Sequence, residues 1–122
     1  MLSTVNSTKL PESSVVEFSQ APALEIIVDM FVTTRKYRNL QTNPYVALVV
    51  GWDEDKTLQY EGVASELKGK EEQKYRKMYF RKLPASQSFE KHGELRFFKI
   101  RPTWIRYSDF SAKPWDIWEM KL

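Results

Sequence analysis

Cysteine is missing altogether from the 122 residues, and histidine occurs once. The first absence excludes disulfides and thiolate metal ligands, and the second excludes a multi-histidine metal centre within one chain. No apolar run approaches the ~20 residues that span a bilayer, and no signal peptide is recognisable, so a cytoplasmic protein without membrane contact is predicted. A strong charge of either sign is also lacking. Nineteen Lys and Arg stand against 16 Asp and Glu, a net +3 that suits anionic ligands without requiring nucleic acid.

Apolar and aromatic residues are plentiful. Apolar residues make up 42% of the chain, with seven Phe, six Tyr and four Trp. That is enough for a core, and the length fits one domain spanning residues 1–122. No internal repeat, low-complexity tract or linker divides it.

Most of the chain reads as strand. Met1 to Val5 ends a strand, and a polar turn runs from Asn6 to Pro11. Ser14 to Gln20 and Ala23 to Val32 are β-rich runs forming a hairpin across Ala21-Pro22. In the second run Leu24, Ile26, Val28, Met30 and Val32 fall on one face, with Glu25 and Asp29 on the other. Tyr45 to Gly51 is continuously apolar, as expected for a strand covered on both faces. After a polar turn, Thr57 to Leu67 is the next strand, with Gly62 marking a bulge or a close backbone approach. Glu71 to Leu83 is a helix with Tyr75, Met78, Tyr79 and Leu83 on one face, stopped by Pro84. Leu95 to Ser108 and Asp116 to Leu122 are the final strands, with His92-Gly93 and Lys113-Pro114 in turns. Short antiparallel strands, tight turns and two short helices predict a small barrel.

One segment departs from the ordinary charge pattern. Val32 to Pro44, "VTTRKYRNLQTNP", reads as a short helix capped by Thr33 or Thr34 and closed by Asn43-Pro44. Its first turn holds Arg35, Lys36 and Arg38, where the positive end of the helix dipole favours acids. Two readings stay open. One is a solvated surface helix. The other is an anion site, in which helix N–H groups, two Thr hydroxyls, a guanidinium fork and a lysine surround a phosphate.

The same segment, together with the strands C-terminal to it, resembles the pyridoxamine 5'-phosphate oxidase-like family of FMN-binding split barrels. The matching elements are Thr34-Arg35-Lys36, Asn39-Leu40, Asn43-Pro44, the apolar strand Val46 to Val50, Gly62-Val63-Ala64 and the closing "IRPTWIRYSDF". The resemblance implies a mainly β (α+β) fold, a six-stranded antiparallel Greek-key split barrel, that forms a homodimer with FMN at the interface. It further implies that Arg35 and Lys36 hold the FMN phosphate with Thr33 and Thr34, while the strand through Val28, Asp29 and Met30 passes its backbone along the flavin. Gln59 or Thr57 would lie against the ring, and Trp104 would come from the partner subunit.

Three departures from the family pattern stand out. The strand before Ala21-Pro22 offers Ser13, Ser14, Glu17 and Ser19 where the oxidase has an Arg and a Lys. The C-terminal "WDIWEMKL" has no counterpart of the oxidase's Arg-Leu-His substrate motif, which puts oxidation of pyridoxamine phosphate in doubt. Family members begin with a helix and a full first strand, whereas this sequence enters at "MLSTV", so either an incomplete barrel or an abbreviated start is expected. A flavin-dependent oxidoreductase of unknown substrate is the expected function; a non-catalytic flavin, heme or deazaflavin binder is the alternative.

Other candidates have plainer readings. No residue is a candidate nucleophile, since a bound flavin would carry the redox chemistry. His92 reads as a solvated turn residue and Asp109 as a turn or cap. Trp115 and Trp118 suit core or dimer packing better than ring stacking. Lys70, Lys74, Lys77 and Arg81 stripe the outer face of the second helix and raise the alternative of an anionic membrane surface or nucleic acid. Charged outer faces are the norm for such helices, and no nucleic-acid partner is expected.

Overall fold

The computed structural model describes residues 1–122, and its topology follows from where the apolar alternation breaks. Eight strands form one antiparallel sheet: β1 (Leu2–Val5), β2 (Pro11–Ser14), β3 (Phe18–Gln20), β4 (Ile26–Phe31), β5 (Tyr45–Val50), β6 (Lys56–Glu66), β7 (Leu95–Asp109) and β8 (Asp116–Lys121). Helix α1 (Arg35–Thr42) joins β4 to β5, and α2 (Gly69–Lys82) joins β6 to β7. Short 3₁₀ turns occupy Pro22–Leu24 and Pro84–His92.

The strand order is β2-β1-β5-β6-β7-β4-β3, with β8 paired to the far half of β7. Strands β5, β6 and β7 are neighbours in sequence order, and β4, which precedes them, lies beside β7 in Greek-key fashion. The two ends of this order, β2 and β3, are joined by only Val15, Val16 and Glu17. Four Cα steps reach at most ~14 Å, so the sheet must curl until its edges face each other. That constraint makes a barrel, and the unpaired edges make it split.

The interior holds Leu2, Ile26, Val28, Met30, Val46, Leu48, Tyr60, Phe98 and Ile100, each of them buried. Helix α2 covers the outer face of β4 and the start of β7, where Ile27, Leu67, Tyr79 and Phe97 form a second core. Tyr79 and Phe97 meet edge to face at 5.4 Å. The predicted apolar face of this helix is the one it buries.

Several expectations change in detail. The sheet has eight strands where the resemblance implies six and the sequence marks seven runs, and the eighth arises because Ser14 to Gln20 is not one strand. Its first part pairs with β1 and its last with β4, at opposite edges of the sheet. Ala23 to Val32 begins as a 3₁₀ turn in which Ala23 and Leu24 both take positive φ, so Leu24 is exposed and off the core face. The face carrying Asp29 is not a solvated one, since Ile27 beside it is fully buried under α2. Strand β5 is covered on one face only. Val46 and Leu48 are buried, whereas Tyr45 and Val49 on the outer face are exposed. Within the single chain the apolar run thus leaves its outer face uncovered. Trp115 and Trp118 are exposed rather than core, with Trp115 stacked edge to face on Phe110.

Gly62 does mark a bulge. The β6–β7 register shifts between Glu61 and Gly62, and a Cβ on Gly62 would lie 2.5 Å from the Arg101 carbonyl oxygen. No helix is long and apolar enough to cross a membrane.

Candidate functional site at the split

The break between β2 and β3 opens beside the start of α1, and two cavities meet there. The polar one, about 250 Å³, is lined by Thr4, Glu12, Ser13, Ser14, Thr34, Arg35 and Lys36. The other, about 210 Å³, is mainly apolar: Val15, Val16, Met30, Phe31, Phe89 and Leu95, with Glu17 and Asp29 among them. Thr34 and Lys36 line both. A hydroxyl-rich, cation-bearing chamber thus adjoins an apolar one along the edge of β4.

Local chemistry explains the entry into α1. Thr34 is the N-cap, its hydroxyl accepting from the Tyr37 N–H at 3.4 Å and donating to the Phe31 carbonyl at 2.8 Å. The hydroxyl proton of Thr34 is thereby committed to the backbone. The first turn carries no acidic residue. Thr33 is exposed and lines neither cavity.

The acid that the dipole calls for comes from β2. Glu12 reaches the Arg35 guanidinium at 3.3 Å and accepts from the side-chain amides of Asn39 at 2.9 Å and Asn6 at 3.1 Å. The Asn39 amide also donates to the Thr4 hydroxyl, and the Asn6 oxygen accepts from Thr8 and Leu10 in the β1–β2 turn. The amides of Asn39 and Asn6, with the Arg35 and Arg38 charges behind them, hold the Glu12 carboxyl below its ordinary range. Three cations at a helix N-terminus are tolerable because this chain supplies an anion.

Lys36 has carboxylate neighbours as well. Burial lowers its pKa while Asp29 works against that shift. Burial raises the pKa of Asp29, opposed by a hydrogen bond from the Tyr79 hydroxyl at 3.0 Å and reinforced by the nearby charge of Glu17. Glu17 accepts in turn from the Ser86 hydroxyl.

Of the residues singled out in the sequence, Asp29, Met30, Thr34, Arg35 and Lys36 come together at the split. Gln59 and Trp104 do not. They sit on the outer face of the sheet, Gln59 opposite Val49 and Arg106, and Trp104 opposite Glu61 with its indole N–H on Glu119. Thr57, the alternative to Gln59, lies further along the same strand opposite Ser108. His92 is exposed at the end of its 3₁₀ turn and lines neither cavity. Asp109 accepts from the Ser111 N–H and hydroxyl, as a turn residue does. The basic stripe of α2 is exposed.

Glu12 and Phe89 escaped the sequence reading. The signal for Glu12 was present, since three cations without a local acid need a counter-charge from a neighbouring strand. Phe89 belongs to a 3₁₀ turn with no periodic pattern to announce it.

A curled antiparallel sheet, open along one seam and flanked by a short helix at that seam, is a split barrel. The chain belongs to the pyridoxamine 5'-phosphate oxidase family, whose model matches residues 1–109. Solved structures carry the same fold at low identity. A heme binding protein from Mycobacterium smegmatis superposes with a TM-score of 0.79 at 16% identity, over 98% of this chain and 51% of that one. This chain therefore spans about half of the mycobacterial protein. A pyridoxamine 5'-phosphate oxidase-related, FMN binding protein from Nostoc punctiforme gives 0.74 at 11% identity, over 98% and 78%. General Stress Protein 26 from Bacillus anthracis gives 0.72 at 22% identity, over 99% and 86%. No curated protein sequence matches significantly.

Proposed function

We propose that the chain is an FMN-binding flavoprotein acting as a flavin-dependent oxidoreductase, with the phosphate in the polar chamber and the ring system along β4. The observation that carries this reading is the pair of chambers sharing Thr34 and Lys36 at the N-terminus of α1. The donor set fits the cofactor. Arg35, Lys36, the Ser13, Ser14 and Thr4 hydroxyls and the free N–H groups of α1 suit a phosphate, and the apolar wall of Met30, Phe31, Val16 and Leu95 suits a planar ring. The Nostoc protein, named as FMN binding, supports the same ligand.

Bound FMN would supply the electron-transfer chemistry. The protein's part is binding and orientation. Arg35 and Lys36 neutralise the phosphate, β4 presents backbone groups beside the ring, and Val15 and Phe89 exclude water from one side. Gln59 and Trp104 reach a flavin only from a second copy, which is why a homodimer belongs to this reading.

Titration with FMN, followed by quenching of flavin fluorescence, tests it. A charge-assisted contact to phosphate contributes about 1.5–3 kcal/mol. Arg35→Ala is therefore expected to weaken FMN roughly 10- to 150-fold, and Lys36→Ala similarly or less where Arg38 substitutes. Riboflavin should bind the parent chain poorly and lose little more in the variants. Equal FMN affinity in Arg35→Ala and parent would return α1 to a plain surface helix.

A heme binder without turnover is the second reading, drawn from the mycobacterial protein. Its weakness is that the single histidine, His92, lines neither chamber. A Soret band developing on hemin addition, with no FMN quenching, would favour it.

A further inference from the structure

Glu12 stands where an anion-binding chamber has least use for a carboxylate. It lines the polar chamber with Arg35 and Lys36, and it lines the adjoining cavity that holds Arg38, Asn39 and Asn6. It is not a chance surface contact. Its two oxygens take three donors, from Asn39, Asn6 and Arg35. Each amide is itself fixed, Asn39 by burial and by Thr4, and Asn6 by the turn it caps. The Glu12 side chain is 18% exposed, against 68% for Arg35. The carboxylate is therefore the anchored member of the pair, and the guanidinium is the movable one.

We propose that Glu12 is a specificity-determining residue: its fixed carboxylate holds one face of Arg35 and sets the chamber against a doubly charged phosphate. The inference rests on the reading of Arg35 and Lys36 as an anion site. A dianion seated among Arg35, Lys36 and the serines shares the chamber with this negative charge. Like charges several ångströms apart in a partly screened site repel by enough to change affinity on the order of 10-fold. A neutral polyol with the same ring avoids that repulsion. Glu12 accordingly narrows the preference for a phosphorylated ligand over its unphosphorylated counterpart.

The competing role for Glu12 is to orient Arg35 for the ligand, and it has the opposite sign. Glu12→Gln keeps the size of the side chain and removes the charge, and Glu12→Ser replaces it with a hydroxyl like those of Ser13 and Ser14. The expected result is that both variants bind FMN about 10-fold more tightly than the parent, with riboflavin changed less than about twofold. Unchanged or weaker FMN binding in both variants, at parental thermal stability, overturns the proposal and makes Glu12 an orienting or purely structural residue.

A second measurement needs no flavin. Inorganic phosphate should raise the melting temperature of either variant more than that of the parent, relative to chloride at equal ionic strength. Equal shifts in parent and variants also overturn the proposal. If no chain binds FMN while phosphate still separates variants from parent, the flavin reading fails and the role of Glu12 stands.

Discussion

The Tyr79 hydroxyl, on the buried face of α2, donates to Asp29 Oδ1 at 3.0 Å and so ties the outer helix to the strand that lines the apolar chamber. The hydroxyl is itself shielded, and burial beside Asp29 raises its pKa so far that it stays protonated and donating. One hydrogen bond thus couples the packing of α2 to the charge of the chamber wall.

Removing the donor should be costly. Tyr79→Phe leaves a half-buried carboxylate short of a partner, and a loss of about 1–3 kcal/mol in urea denaturation is expected. Asp29→Asn tests the other side of the pair. The pKa of Asp29 is raised in the fold, so the native state binds more protons than the unfolded chain. Its contribution is fully present below the ordinary value of 3.8 and is lost as pH rises through the folded value. Asp29→Asn should therefore be more stable than the parent at neutral pH, with the gap closing as pH falls towards that ordinary value. A gap that is constant with pH would mean that Asp29 titrates normally.

Gly62 offers a backbone test. An added Cβ would meet the Arg101 carbonyl oxygen at 2.5 Å and Ile100 Cγ2 at 2.8 Å. The first obstacle is main chain in the neighbouring strand and cannot swing away. Gly62→Ala should cost about 1–3 kcal/mol by overpacking, read as a lowered melting temperature. A parental melting temperature would show that the bulge absorbs a methyl group.

Asn39 is the buried hub of the seam. Its amide donates to Thr4 on β1 and to Glu12 on β2, both at 2.9 Å, joining α1 to two strands of the sheet edge. Asn39→Ala should lose about 1–3 kcal/mol and free Glu12 to move. Hydrogen exchange should then rise in Pro11–Ser14 and in the first turn of α1, and leave β6 protected. A uniform rise across the sheet would point instead to global destabilisation.

Much of this was legible in the residues. An N-cap at Thr33 or Thr34, the helix stop at Pro84 and a bulge or close approach at Gly62 each follow from local chemistry that a tertiary context rarely overturns, and the fold settles the first on Thr34. The meeting of Arg35 and Lys36 with β4 followed from adjacency in the chain. What could not be read was long-range. Val15 to Glu17 leave one edge of the sheet for the other, and no period in "SSVVEFSQ" distinguishes that crossing from a continuous strand. The uncovered face of β5 is illegible for a different reason. Tyr45, Ala47 and Val49 are apolar like their buried neighbours, and a single chain cannot say what lies over them.

That uncovered face carries the last prediction, the homodimer. On the outer surface of the sheet, Tyr45 lies opposite Val63, Ala47 opposite Glu61, and Val49 opposite Gln59. Tyr45 is 65% exposed and Val49 37%. Across β6 and β7 the same face continues through Trp104 and Arg106 to Lys121 and Glu119 of β8, whose Ile117 is also exposed. An apolar strip beside an aromatic and charged rim is the composition of a protein interface rather than of a solvated face. A second copy placed there would bury Tyr45 and Val49 and would bring Gln59 and Trp104 into a shared interface. Light scattering at micromolar concentration should give the mass of two chains. Val49→Lys, which puts a charge at the centre of the strip, should shift the protein to monomer with little change in single-chain stability, because that side chain is no part of the core. Trp104→Ala should weaken FMN binding only in the dimeric protein and have no effect on the Val49→Lys monomer. A monomeric parent chain with FMN present, or a Val49→Lys variant that stays dimeric, would remove this face from the interface.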